Sequence, residues 1–67
     1  MMTYDRNRNP ITTGSRVMVN GSRQTGVITA IHGDGMSAQQ LRRSKTVEVA
    51  GCEGQFEPVE LIRLGLH

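Results

Sequence analysis

The stretch Arg16-Val17-Met18-Val19-Asn20-Gly21-Ser22 decides the fold. Val17 and Val19 share one parity, and Arg16, Met18 and Asn20 share the other. That period of two is the mark of a half-buried strand, and β-branched valine suits a pleated surface. Asn20-Gly21 is a dipeptide that readily takes up the positive φ of a tight hairpin. A second strand is expected from Gln24 to His32, with Val27, Thr29 and Ile31 on one face and Ile28, Ala30 and His32 on the other. A segment that is apolar on both parities bends or carries a bulge, and Gly26 eases either. Ile28 and Ile31 are both expected inside, with the bulge between them.

Downstream, Gly33-Asp34-Gly35 marks a turn, and Ser37 is followed three residues later by Gln40. That spacing is a capping box, in which each side chain satisfies the other residue's backbone N–H at a helix start. Ala38, Gln39, Gln40, Leu41 and Arg42 favour helix, and Arg42 and Arg43 fall in the last turn, where the macrodipole favours cations. A short helical turn over about 38–43 is expected, leaning on the sheet through Met36 and Leu41 as a hydrophobic staple. In the next strand, Lys45 to Val49, Val47 and Val49 point inward while Lys45, Thr46 and Glu48 face the rim or solvent. Gly51-Cys52-Glu53-Gly54 reads as a hairpin turn, and Phe56 anchors a short strand in the core. Pro58-Val59-Glu60 suits a single 3₁₀ turn because proline fits its first position. Leu61 to Leu64 closes the sheet, and Gly65 to His67 is expected to fray.

Upstream, Thr12-Thr13-Gly14-Ser15 is turn chemistry. Residues 1–11 show no periodicity and are expected to be a flexible tail whose last residues, Pro10 and Ile11, dock on the domain formed by residues 12–65. The fold class expected is all-β: five strands in a partly open barrel, with the helical turn between the second and third of them. Closure of that kind also protects the edges that a flat sheet this small would expose.

Sixty-seven residues make one domain with a thin core. A single cysteine, Cys52, rules out an intrachain disulfide and fits a reducing compartment. His32, His67 and Cys52 stand at no chelating spacing, so no metal and no cofactor is expected. No apolar run approaches the ~18 residues that span a bilayer, and the N-terminus lacks the apolar stretch of a secretory signal. A cytoplasmic protein is therefore expected.

Charge is informative through its distribution. Residues 1–45 hold seven basic side chains against two acidic ones, a net +5, and residues 46–67 hold one arginine against four glutamates, a net −3. If the two segments occupy different sides, the molecule is polarised and can attract nucleic acid, an acidic protein surface or a copy of itself.

The order Gly14-Ser-Arg-Val-Met-Val, Gly26-Val-Ile-Thr-Ala-Ile, Thr46-Val-Glu-Val and Phe56-Glu-Pro-Val-Glu-Leu-Ile-Arg-Leu resembles the SH3-like small barrels. This superfamily includes the KOW-type ribosomal and transcription-factor modules and the tudor-like domains. The resemblance runs from about Thr13 to Leu64 and implies architecture more than activity. Gln55-Phe56-Glu57-Pro58-Val59 also looks like the pore-lining Gln-Ile-Tyr-Pro-Val segment of the plasmid-type, trimethoprim-resistant dihydrofolate reductases, which are tetrameric barrels. Glu57 stands where that family has tyrosine, however, and its basic pair is missing at Asn20-Gly21. An acidic ring there would repel an anionic cofactor and folate alike.

No catalytic group is expected. His32 reads as an exposed loop histidine, and Cys52 reads as an exposed thiol with no histidine to form a nucleophilic pair. Gly33-Asp34-Gly35 lacks the lysine and the helix of a phosphate loop. The expectation is a small non-catalytic binding module in which Arg16, Arg23, Arg42, Arg43 and Lys45 form a basic stripe for nucleic acid. The runner-up is a protein-interaction adaptor that uses the same long connection, with Met36 and Leu41 as its apolar contacts. Homo-oligomerisation, basic side to acidic side, is compatible with both.

Overall fold

A computed structural model of the chain describes residues 1–65. Leu66 and His67 lie outside the described residues, and with them most of the expected C-terminal fraying. The chain runs β1 (Met2–Tyr4), β2 (Pro10–Thr12), β3 (Arg16–Val19), β4 (Thr25–Ile31), α1 (Ala38–Arg42), β5 (Val47–Val49) and β6 (Gln55–Phe56), then a 3₁₀ turn (Pro58–Glu60) and β7 (Leu61–Arg63). Five strands form an antiparallel sheet in the order β6-β5-β4-β3-β7, and β1 pairs with β2 in a separate two-stranded sheet.

Alternation places the core as expected. Val17, Val19, Ile28, Val47, Val49 and Leu61 are buried together with Ile11, and Ile31, Cys52 and Phe56 pack half-buried against them. The β4–β5 register shifts between Ile28 and Ala30, which is the bulge that a strand apolar on both parities requires. The close approach at Gly26 also has a physical basis. A Cβ there would stand 2.5 Å from the Ala50 carbonyl oxygen and 2.8 Å from Val49 Cγ1, so only glycine lets β4 pass this point.

The helix start is built as its spacing predicts. Ser37 Oγ accepts from the Gln40 backbone N–H at 3.2 Å, and the Ser37 N–H donates to Gln40 Oε1 at 3.0 Å. The 3₁₀ turn begins on Pro58, and the Glu57 N–H donates to the Glu60 carboxylate at 3.4 Å.

The N-terminus corrects the reading of residues 1–11 as a flexible tail. Met2–Tyr4 pairs in register with Pro10–Thr12, and Ile11 is fully buried in the core. Hydrophobic pattern alone missed this hairpin because its turn is held by one polar side chain. Asp5, itself fully buried, accepts from the backbone N–H groups of Asn7 (2.9 Å) and Asn9 (2.7 Å) through Oδ1, and from that of Arg63 in β7 (2.6 Å) through Oδ2.

Smaller corrections follow from the same packing. Thr46 is buried rather than at the rim, and its hydroxyl donates to the Leu41 carbonyl at 3.3 Å. Phe56 and Ile31 are half-buried at the margin of the core, because β6 is a two-residue edge strand. In the β3–β4 turn the left-handed residue is Arg23 (φ 62°), not Gly21. The turn closes through the Val19 N–H onto the Gln24 carbonyl and the Arg23 N–H onto the Val19 carbonyl.

Gly26→Ala is expected to lower stability by about 1–3 kcal/mol through overpacking against backbone. Gly21→Ala, which has open space around it, should change stability by less than about 0.5 kcal/mol. Urea denaturation of both variants checks the pair.

Candidate functional site

The turn held by Asp5 carries Arg6, Asn7 and Arg8, and α1 lies beside it. Arg42, in the last turn of α1, reaches across to the hairpin. Its Nη2 donates to the Asp5 carbonyl at 2.7 Å and to the Arg6 carbonyl at 3.5 Å, and its Nε donates to the Tyr4 carbonyl at 3.3 Å. This guanidinium ties helix to hairpin, a role that a flexible lysine with no planar fork would fill poorly. Between the two elements lies a surface cleft of about 260 Å³ lined by Tyr4, Arg8, Ala38, Gln39, Arg42 and Arg43.

Three of the six lining residues are arginines and none is acidic. Among the described residues neither Arg8 nor Arg43 forms an ion pair, and the Asp5 carboxylate is turned toward the main-chain N–H groups of Asn7, Asn9 and Arg63. The cleft therefore presents uncompensated positive charge beside Tyr4, which is 44% exposed. Arg8 adds a conformational observation. Its φ is 64°, and Arg8 and Arg23 are the two non-glycine residues with positive φ among the described residues. An L-residue there costs roughly 1–2 kcal/mol that glycine does not. The β1–β2 and β3–β4 turns thus each carry an arginine where local conformation favours glycine or asparagine.

The expected stripe is not assembled as one surface. Arg42 and Arg43 line the cleft, joined by Arg8 from the supposed tail. Lys45 instead pairs with Glu60 at 3.6 Å. Arg16 borders a separate hollow with Thr12, Gly14, Arg63 and Leu64, and Arg23 sits at the β3–β4 turn. Leu41, expected to face a partner, is buried and lies against Gly33. A Cβ on Gly33 would come within 1.8 Å of Leu41 Cδ1. Met36 alone of the apolar pair stays exposed. Cys52 is half-buried on the core rather than exposed, and His32 is exposed and paired with Glu48.

Two residues of this site, Tyr4 and Arg8, were not among the expected site residues, although the arginines of residues 1–11 also read as a short arm for an anionic partner. Tyr4 and Arg8 belonged to the segment taken for a tail. The signal that finds them is Asp5-x-Asn7-x-Asn9, whose short polar side chains close turns onto their own backbone, set between Met-Thr-Tyr and Pro-Ile-Thr. Among the described residues no group of three or more potential metal ligands is gathered, and no helix is long and apolar enough to cross a membrane.

With the sheet, hairpin and cationic cleft in view, comparison with known proteins gives the family. The YdfZ protein family model matches residues 2–65, and the chain belongs to that family. It is 60% identical over all 67 residues, covering the whole of both chains, to proteins of Escherichia coli K12 and of Shigella flexneri, each named "Putative selenoprotein YdfZ". No solved structure matches the chain.

Asp5→Ala is expected to cost at least about 2 kcal/mol, because three backbone N–H groups lose a buried, charged acceptor together. Arg43→Ala, at an exposed position, should stay within about 0.5 kcal/mol. Thermal unfolding followed by circular dichroism distinguishes them.

Proposed function

We propose that this chain is a non-catalytic SH3-like barrel module that binds nucleic acid through the cleft between its N-terminal hairpin and α1. Strand order supports the barrel. Four consecutive strands, β3 to β6, form a meander, and the 3₁₀ turn delivers β7 back to the free side of β3. That connection is the one the SH3-like resemblance implies. The binding reading is carried by a single observation: Arg8, Arg42 and Arg43 converge on one cleft that has no acidic lining residue. Guanidinium groups suit phosphate because their planar fork can bond two oxygens at once. An acidic protein surface would meet the same charges, but the adaptor reading has lost Leu41 to the interior.

Phosphate contacts from Arg8 and Arg43 to a single strand imply a log–log salt slope of roughly −1.4, a loss of about sevenfold in affinity for a fourfold rise in salt. Anisotropy titrations of labelled RNA and DNA at two salt concentrations measure it. Arg43→Glu should weaken binding and flatten the slope. Arg8→Gly removes a cation while relieving a left-handed arginine, so affinity should fall with melting temperature unchanged or raised. Absence of binding at low salt, or full affinity in both variants, refutes the reading.

A second reading takes its support from the relatives' printed name together with the presence of one cysteine in this chain. In this reading the Cys52 thiol exchanges onto bis-glutathionyl selenide: a Cys52 Sγ–Se bond forms, one glutathione S–Se bond breaks, and one glutathione leaves carrying the proton. No outside oxidant is needed, because the selenium arrives already oxidised. Intact-mass measurement after incubation with selenite and excess glutathione should then show an adduct that dithiothreitol removes and that Cys52→Ser lacks. An adduct-free wild-type protein rejects it.

A further inference from the structure

Tyr4 is the one tyrosine of a chain that has no tryptophan, and it is not used as core. In β1 the buried residue is Thr3, which places Met2 and Tyr4 on the opposite, exposed face. The strand that carries Tyr4 is held in place at its C-terminal end. Its carbonyl accepts from Arg42 Nε, and the next residue, Asp5, is fastened to β7. The Tyr4 main chain and the Arg42 guanidinium therefore keep a set relation before any ligand arrives, which lowers part of the ordering cost of binding.

Resting on the reading of the cleft as a nucleic-acid interface, we propose that it is a single-strand site, in which one unpaired base stacks on the Tyr4 ring while Arg8 and Arg43 hold the flanking phosphates. The physical reason is access. A duplex presents its phosphates but hides its base faces, so it can satisfy the arginines and leave the ring idle. An unpaired nucleotide satisfies both. A cleft of about 260 Å³ has the scale of a site for a single nucleotide, not for a groove-spanning element. Stacking is tolerant of base identity because every base has a π-face, so the site should discriminate strandedness more than sequence.

The chain supplies its own reporter, since all its aromatic emission near 300 nm comes from this one ring. Oligouridylate, oligothymidylate and a DNA duplex of the same length are titrated into the full-length protein, with tyrosine emission and the anisotropy of the labelled strand both recorded. Saturation with either single strand should quench the emission, and the duplex should bind more weakly and leave it unchanged. The two single-stranded arms separate RNA from DNA. Tyr4→Leu should lower single-strand affinity about tenfold with duplex affinity preserved, and Tyr4→Phe should restore it, since stacking needs the ring and not the hydroxyl. Equal affinity for duplex, unchanged emission at saturation, or wild-type affinity in Tyr4→Leu overturns the single-strand site while leaving a phosphate-directed interface standing. Absence of binding to every nucleic acid at low salt overturns both. Polyglutamate competing as well as the oligonucleotides overturns them in favour of an acidic protein surface.

Discussion

The buried carboxylate of Asp5 is the constraint on which the rest of this structure depends. A carboxylate removed from water is costly unless charge-assisted hydrogen bonds replace its hydration. Here three backbone N–H groups do so, two from its own turn and one from β7, fifty-eight residues away along the chain. One side chain thus closes the N-terminal hairpin and fastens it to the last strand. Ile11 can then enter the core, and a thin sheet gains a further fully buried apolar residue. In a chain of this length, where the surface buried on folding is limited, such a gain matters more than it would in a larger domain.

The cleft is a consequence of that fastening. Once the hairpin is held, its main-chain carbonyls at Tyr4, Asp5 and Arg6 become fixed acceptors, and Arg42 crosses from α1 to meet them. Arg42 therefore belongs to the architecture as much as to the surface. Arg8 and Arg43 are left on either side as uncompensated cations. The left-handed backbone at Arg8 fits this division of roles. Its conformation favours a residue without a side chain, yet the position carries a long cationic one. Such local strain persists where the surroundings over-determine it, and it is found disproportionately at binding sites.

Polarisation of charge along the chain does not translate directly into a basic and an acidic side. Lys45, counted with the basic segment, pairs with Glu60 from the acidic one, and Arg63 donates to the Pro10 carbonyl from within the acidic segment. A net charge of +2 is too small to concentrate polyanions by long-range field alone. What the fold contributes is local: three guanidinium groups drawn into one concavity from a turn and a helix that lie more than thirty residues apart in sequence.

Sequence alone determined the elements whose causes are local. Alternating valines set β3 and β5, two-sided apolarity in β4 announced the bulge at Ile28–Ala30, the Ser37–Gln40 spacing set the helix start, and Pro58 set the 3₁₀ turn. These follow from periodicity and capping, which act over a few residues. Tertiary structure decided what depends on partners distant in the chain. Asp5 is an ordinary polar residue until β7 offers it an N–H. Leu41 could face outward until Gly33 leaves room beneath it, and Tyr4 and Arg8 join no site until the hairpin docks against α1. Hydrophobic pattern reports which side chains leave water; it says nothing of which buried polar group will find its hydrogen bonds across the fold.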